Sequence, residues 1–507
     1  MALFIDTTDR LIIPTWKKFN NTVKELNPVG QYKHPIEQGD IMGYVLEWRE
    51  RPSLVSAGEL ITAAIVHGRT EESEVADAAG FVLNGQIKVP LPLNKASRHI
   101  LKQSLPAEKI IVQEYSIYVE IAKLKELLTK YMNSAILHIE IARCYVLLGQ
   151  IERALFHINS ALYFDRHNRF VVRAAARFLI HIKEEERAVQ ILRGSGLTKS
   201  DPWLMASEIS VSRRFNKRSP NIKRAFQLIE SGNYSDFDLT ELRGTIGMEE
   251  FSNASYKKSR KLFNLSLIAP NDNSFAQAQW IMQNRHLELT FPNVPINMHY
   301  KESLCHEKFF EGDYTTALQF AQEWQEEAPY SIKCAIFGAS ISTIYQKDYK
   351  TSIQILKTYL RTNNRNKAAL NDLAYAYALD NETEKAQKII DAAVRYIDPR
   401  NLEEVDICLV ATQGLICFRT GNIEEGAKLY EQAIEASRSL SHKEHLYSAT
   451  LNYCRELLHK LKGRDNVENV HNMLESVPEY PKGSPIQLLK DEVRIELEKN
   501  KNNSEKQ

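Results

Sequence analysis

The stretch EGDYTTALQFAQEWQEEAP, residues 311–329, decides how the rest of the chain is read. Gly312 marks a turn, Tyr314 opens a helix, and Ala317 and Ala321 set a small face one turn apart. Pro329 follows where the helix cannot continue. Trp324 departs from the pattern, because a small residue belongs at its register. The next helix, KCAIFGASIST (333–343), brings Ala335, Gly338 and Ala339. Trp324 is therefore expected to face that junction and fill the space left by those small residues.

The same register recurs on both sides. Residues 135–168 carry Gly149, Ile151, Ala154, Ile158 and Ala161, residues 367–400 carry Ala386, Ile390 and Ala393, and residues 407–440 carry Gly421, Ile423, Gly426, Tyr430 and Ala433. Weaker copies keep Ala188 and Leu192, then Ser259 and Phe263, then Ser352 and Leu356. The small residue returns after 34 positions from Ala154 to Ala188, 35 from Ala317 to Ser352, and 34 from Ser352 to Ala386. From Ala386 to Gly426 the step is 40, which predicts a longer helix or loop there.

This period and its small/large alternation resemble the tetratricopeptide repeat, a pair of antiparallel helices per unit. The resemblance implies an all-α fold, a right-handed α-solenoid in which small residues let paired helices approach and bulky ones fill the space between units. The array is placed at 135–475, about eight to nine units with some degenerate. Residues 106–134 read as a connecting helix. Residues 476–500 read as a Pro-rich break and a capping helix, and 501–507 as a polar tail. Residues 1–105 carry no clear repeat and are expected to be mainly helical and continuous with the array; SAGELITAAIVHGRTEESEVADAAGFVLNG (56–85) has the form helix, turn, helix.

Lys and Arg number 65 against 64 Asp and Glu, so overall charge does not single out a polyanion or membrane-surface binder. The six cysteines fall singly in apolar helical contexts, which argues against a disulfide framework or a zinc cluster and for a reducing compartment. The first twenty residues place acids ahead of the apolar run, the wrong order for a secretory leader, and the longest apolar stretch is too short for a bilayer. A cytoplasmic location is the expectation.

No phosphate loop, dinucleotide fingerprint, zinc-protease helix or serine nucleophile elbow occurs in the sequence, so no catalytic, cofactor or metal residues are assigned and none of those ligands is expected. His442 and His445 share a helical face but lack further ligands nearby. SRRFNKRSPNIKR gathers Arg213, Arg214, Lys217, Arg218, Lys223 and Arg224, a cluster suited to phosphates or an acidic partner. Its bland alternative is a solvated insertion between helices, and nucleic acid ranks below a protein partner.

In the resembled family, ligands lie along the first helix of each unit. The matching positions here are Arg143; Arg173, Arg177 and His181; Glu302, His306, Phe309 and Phe310; Phe337, Ile341 and Tyr345; Asn371 and Tyr375; Phe418 and Arg419. The resemblance thus implies a groove that is basic at its start and aromatic in its middle, fit for an extended or helical peptide with an acidic portion and apolar anchors. Arg173 and Arg177 have little apolar reason for burial and lead the set, whereas Phe309 and Phe337 are as readily read as core. The implied function is a non-enzymatic scaffold or adaptor that holds protein partners in a multiprotein assembly. A peptide-sensing regulatory receptor and a nucleic-acid-associated adaptor are the alternatives.

Overall fold

The computed structural model describes residues 9–18, 41–66, 69–85, 89, 91–101, 109–215, 217–291, 300–397, 403–460 and 464–504. The chain forms two compact units, one of residues 19–120 and one of residues 1–18 together with 121–507. In the smaller unit, α1 (Met42–Glu50), α2 (Leu54–Val66), α3 (Ser73–Asn84) and α4 (Leu91–Ile100) surround a core that includes Trp48, Leu60, Ile61, Val75 and Val82. Helix α5 follows (Lys109–Lys130).

The larger unit is a succession of antiparallel helix pairs. These are α6 (Ala135–Leu147) with α7 (Ile151–Phe164), α8 (Arg169–His181) with α9 (Glu185–Gly194), α10 (Pro202–Arg214) with α11 (Ile222–Glu230), and α12 (Asp236–Ser252) with α13 (Tyr256–Ser266). A lone helix α14 (Asp272–Arg285) comes next. The pairs then resume as α15 (Lys301–Phe310) with α16 (Tyr314–Glu327), α17 (Ile332–Ser340) with α18 (Tyr349–Thr362), α19 (Lys367–Leu379) with α20 (Thr383–Val394), and α21 (Glu404–Thr420) with α22 (Ile423–Ser439). Helices α23 (Lys443–Lys460), α24 (Arg464–Glu475) and α25 (Pro485–Ser504) close the unit, and α25 puts Val493 and Leu497 into the same core as the preceding repeats. No strand occurs among the described residues. The architecture is all-α and tetratricopeptide-like.

The repeat has a physical cause at each register position. Ala154, Ala188, Ala225, Ser259, Ala317, Ser352 and Ala386 are all fully buried, each on the second helix of its pair. At Gly247 and Gly414 of the first helices an aromatic ring fills the space: a Cβ on Gly247 would lie 3.0 Å from the Phe263 ring, and one on Gly414 would lie 3.0 Å from Tyr430. In seven of these eight pairs the turn is left-handed whether or not glycine supplies it. Gly149, Gly312 and Gly421 have φ of 69°, 82° and 91°, and Lys183, Ala254, Lys347 and Asn381 adopt 63°, 58°, 57° and 61° at the equivalent place.

Trp324 departs from its expected role. The space over Gly338 is taken by Ala321 and Ile355, whose carbons would lie 3.2 and 3.3 Å from an added Cβ. The Trp324 ring instead approaches His306 at 6.2 Å between centroids and lines a cavity beside the first helices. The space over Gly338 is thus filled by Ala321 of α16 and Ile355 of α18.

Residues 9–18 belong to the array's own unit and are extended, not helical. Their burial alternates: Arg10, Ile12, Pro14 and Trp16 are buried, while Asp9, Leu11, Ile13 and Thr15 are half-buried. Pro14 disfavours helical geometry at Ile13, and the period of two is that of an extended chain with one face inward. Within the stretch expected to be mainly helical, these ten residues are not helical, and residues 19–40 lie outside the described part.

Candidate functional site

The site is the face formed by the first helices of the early and middle units, on which residues 9–18 lie. Each inward side chain of that segment meets a different element. The Arg10 guanidinium donates to both Glu302 oxygens on α15, at 2.7 and 2.9 Å, and to Asn273 Oδ1 on α14 at 3.0 Å. Ile12 is fully buried among Met205, Ile209, Leu239, Leu242 and Ile246 of α10 and α12. Trp16 is 1% exposed, edge-on to Phe178 of α8 and 5.6 Å from the Tyr330 ring between α16 and α17. At the segment's end, Lys17 pairs with Asp272 at 2.5 Å and Glu327 at 3.0 Å. Its start is held by Asp9, which receives Arg213 at 3.0 Å and Arg285 at 3.1 Å.

Two backbone carbonyls complete the attachment. Asn273 Nδ2 donates to Ile13 O at 2.9 Å, and the Tyr330 hydroxyl donates to Trp16 O. The electrostatics follow the pairing. Burial pushes the Glu302 carboxyl up, but the adjacent Arg10 guanidinium outweighs it and holds the group below its ordinary value. Burial likewise opposes the Lys17 ammonium, and Asp272 and Glu327 raise it above its ordinary value all the same.

The expected binding residues divide sharply here. Arg173 is buried, contrary to the expectation. It forms a two-pronged pair with Glu241 of α12, Nη1 to Oε2 at 2.7 Å and Nη2 to Oε1 at 2.9 Å, and lies 5.0 Å from the Trp203 ring. Arg143 is buried beside Glu140 at 3.6 Å. His181 Nε2 meets the Thr362 carbonyl at 2.9 Å, and burial lowers its pKa to about 4, so it is neutral and donates. Arg177 stacks over Tyr330 at 4.8 Å with no acidic partner among the described residues, and burial lowers its pKa. Arg143, Arg173 and His181 are thus committed to the array's interior, whereas Arg177 and the acids Glu302, Asp272 and Glu327 border the segment.

Further along, register positions are spent on contacts between units. Asn371 accepts from Thr412 at 2.8 Å, Tyr375 donates to Asn452 at 2.9 Å, and Arg419 pairs with the buried Glu456 at 2.9 Å. Tyr345 ends a wider π turn (Ile341–Tyr345) and packs on Tyr314 at 4.4 Å and Phe309 at 5.1 Å. Phe309 also meets Phe337, which lies 4.4 Å from His306. Burial lowers the His306 pKa to about 4. Fully buried Phe418 and Ile341 serve the core, and Phe310, at 60%, is the exposed aromatic of the set.

The basic cluster is largely paired internally. Arg213 meets Glu249 at 3.0 Å besides Asp9, Arg214 meets Glu185 at 3.4 Å, Lys217 meets Glu186 at 2.6 Å, and Arg224 donates to the Lys199 carbonyl at 2.6 Å. Arg218 and Lys223 are exposed without an ion pair among the described residues. His442 and His445 flank Glu404 at 3.2 and 3.6 Å, and no group of three or more His, Cys, Asp and Glu arranged for a metal occurs among the described residues. All six cysteines are free thiols. No helix in the described residues is long and apolar enough to cross a membrane.

Sequence reasoning missed residues 9–18, Asn273 and Tyr330. The signal was present in RLIIPTW, where Arg10, Ile12, Pro14 and Trp16 alternate around a proline.

No family model and no curated protein matches the chain. Among solved structures it is similar to yeast Tom70, at 13% identity over 91% of this chain and 92% of that one, with a TM-score of 0.30. It is similar to human IFIT1, solved as a dimer with PPP-AAAA, at 13% identity over 92% and 94%, with a TM-score of 0.34. The TPR domain of P58(IPK) is similar at 14% identity over 71% and 98%, with a TM-score of 0.21. The repeat architecture of this chain rests on its own helix pairs.

Proposed function

We propose that this chain is a non-enzymatic interaction scaffold or adaptor that holds an extended segment of a partner protein along its concave face within a multiprotein assembly. The observation that carries this reading is the seating of residues 9–18. A ten-residue extended stretch lies across α8, α10, α12, α14 and α15, its alternate side chains in separate subsites. Stacked first helices present such subsites preformed, so an extended ligand binds with little reorganisation of the receptor. Within the register positions, Glu302 and Arg177 are the groove contacts, and Phe310, at the other end of α15 from Glu302, is an exposed apolar anchor. The internal pairing of Arg213, Arg214 and Lys217 lends a nucleic-acid role less support.

Affinity purification of the full chain from its native host, with cross-linking mass spectrometry on the captured complex, tests the reading. Cross-links to α8, α14, α15 and α17 support it. Cross-links confined to the second helices of the pairs, or to residues 41–101, overturn it.

A further inference from the structure

We infer that residues 9–18 are a resident stand-in for the partner's own segment, and that the two exclude each other from one groove. This deepens the scaffold reading and rests on it. The fitting partner segment is extended and carries an arginine, a branched apolar residue two positions on, an aromatic six positions on and a lysine after that. These are the spacings of Arg10, Ile12, Trp16 and Lys17, which reach about 23 Å over seven extended steps.

Three observations separate this segment from an ordinary part of the core. First, among the described residues it makes no ladder of backbone hydrogen bonds with the helices. Its attachment is five side-chain anchors, Asp9, Arg10, Ile12, Trp16 and Lys17, and two carbonyls, the way a ligand is held. Second, its charges match the receptor locally: Arg10 answers Glu302, and Lys17 answers Asp272 and Glu327. Third, the fit is incomplete. A cavity of about 110 Å³ remains beside it, lined by Trp16, Arg177, Trp324 and Tyr330 among others. In that wall, among the described residues, the buried Trp16 Nε1 has no acceptor and Arg177 has no acid. A buried donor left without a partner weakens the resident complex. A partner side chain that brings an acceptor to this cavity gains what the resident segment forgoes, which makes displacement favourable.

The test uses the full chain and the labelled peptide DRLIIPTWKK, followed by fluorescence anisotropy. A cis segment that occupies the groove nearly all the time lowers apparent peptide affinity in proportion to its occupancy, so loosening it is expected to tighten binding at least about tenfold. Two variants do this independently: Arg10→Gln with Trp16→Ala, and Lys17→Glu, whose half-exposed side chain leaves the core untouched. Adding Glu302→Arg to either is expected to abolish peptide binding. Equal affinity of the wild type and Lys17→Glu overturns the inference, as does binding indifferent to Glu302→Arg. A dimer with exchanged segments, seen by light scattering and lost in Trp16→Ala, also overturns it by making a second copy the occupant. If the peptide binds no form while native-partner capture still depends on Glu302, the inference fails and the scaffold reading stands. If capture ignores Glu302 and the other first-helix residues, the scaffold reading itself fails.

Discussion

Replacing Glu241 by Gln tests whether Arg173 is a structural group or a ligand contact. Glu241 is fully buried and accepts two bonds from Arg173, at 2.7 and 2.9 Å, and one each from Asn271 at 3.0 Å and Asn273 at 3.2 Å. Glu→Gln keeps the shape but turns one acceptor into a donor facing donors, and leaves the buried guanidinium without its anion. Removing one partner of a buried ion pair costs about 3–5 kcal/mol, against 1 kcal/mol or less for an exposed pair. Because Asn273 also holds Ile13 and Arg10, the loss should spread to the resident segment. Local stability is the proper readout in a repeat array, where units need not unfold together. Hydrogen exchange of α8 and α12 under native conditions should report a loss of about 3–5 kcal/mol. Adding Arg173→Met should restore about 2 kcal/mol, since the two residues couple directly. A cost below about 1 kcal/mol, or full additivity of the two changes, refutes the structural assignment of Arg173.

Acid should destabilise the array through its buried histidines. His157 and His181 each have a pKa near 4 in the fold, lowered first by burial and then by His138 and Arg177 respectively, against an ordinary value near 6.5. Each is neutral when folded, so its contribution is complete above pH 6.5 and is lost as pH falls towards 4. The unfolded chain binds the extra protons there, which amounts to about 3 kcal/mol per histidine, and urea melts at pH 7, 5.5 and 4.5 should follow that slope. A flat response across this window contradicts the burial of both rings. Ala254→Gly should stabilise by about 0.5–1 kcal/mol, because the left-handed φ of 58° is costly for alanine and free for glycine. A lower melting temperature would show that the Ala254 methyl makes contacts that matter more. Trp324→Ala should cost about 3–5 kcal/mol by thermal or urea denaturation, since a buried ring is removed next to an existing cavity. A cost under about 1 kcal/mol would mean the ring is dispensable to packing.

Much of the fold was legible because its causes are local and recur. The buried small residues from Ala154 to Ala386 sit where paired helices touch, so their 34-residue rhythm survives as a pattern in the sequence. The left-handed turn was visible only where glycine supplies it, and Lys183 or Lys347 hides the same turn behind an ordinary side chain. The site was less legible, because its partners are distant in sequence. Nothing near Arg173 announces Glu241, 68 residues away, so its burial looked unmotivated. Arg10 meets Glu302 from 292 residues away, and a segment without a repeat register gave periodicity nothing to find. Trp324 was expected against the small residues of α17 and instead approaches His306 of α15, since helical register leaves open which of two adjacent faces a large ring takes.

The central claim is that the groove holds residues 9–18 until a partner segment takes their place, and cleavage by trypsin after Arg10 addresses it most directly. Arg10 is 8% exposed and anchored to Glu302 and Asn273, so the protease reaches it only when the segment lifts out. The rate of appearance of the fragment beginning at Leu11 is measured by mass spectrometry in the full chain, alone and saturated with its captured partner. Cleavage is expected to be slow in the chain alone and to accelerate at least about tenfold with the partner bound, in line with the shift in segment occupancy. Unchanged cleavage with the partner bound in the Glu302 groove would contradict it.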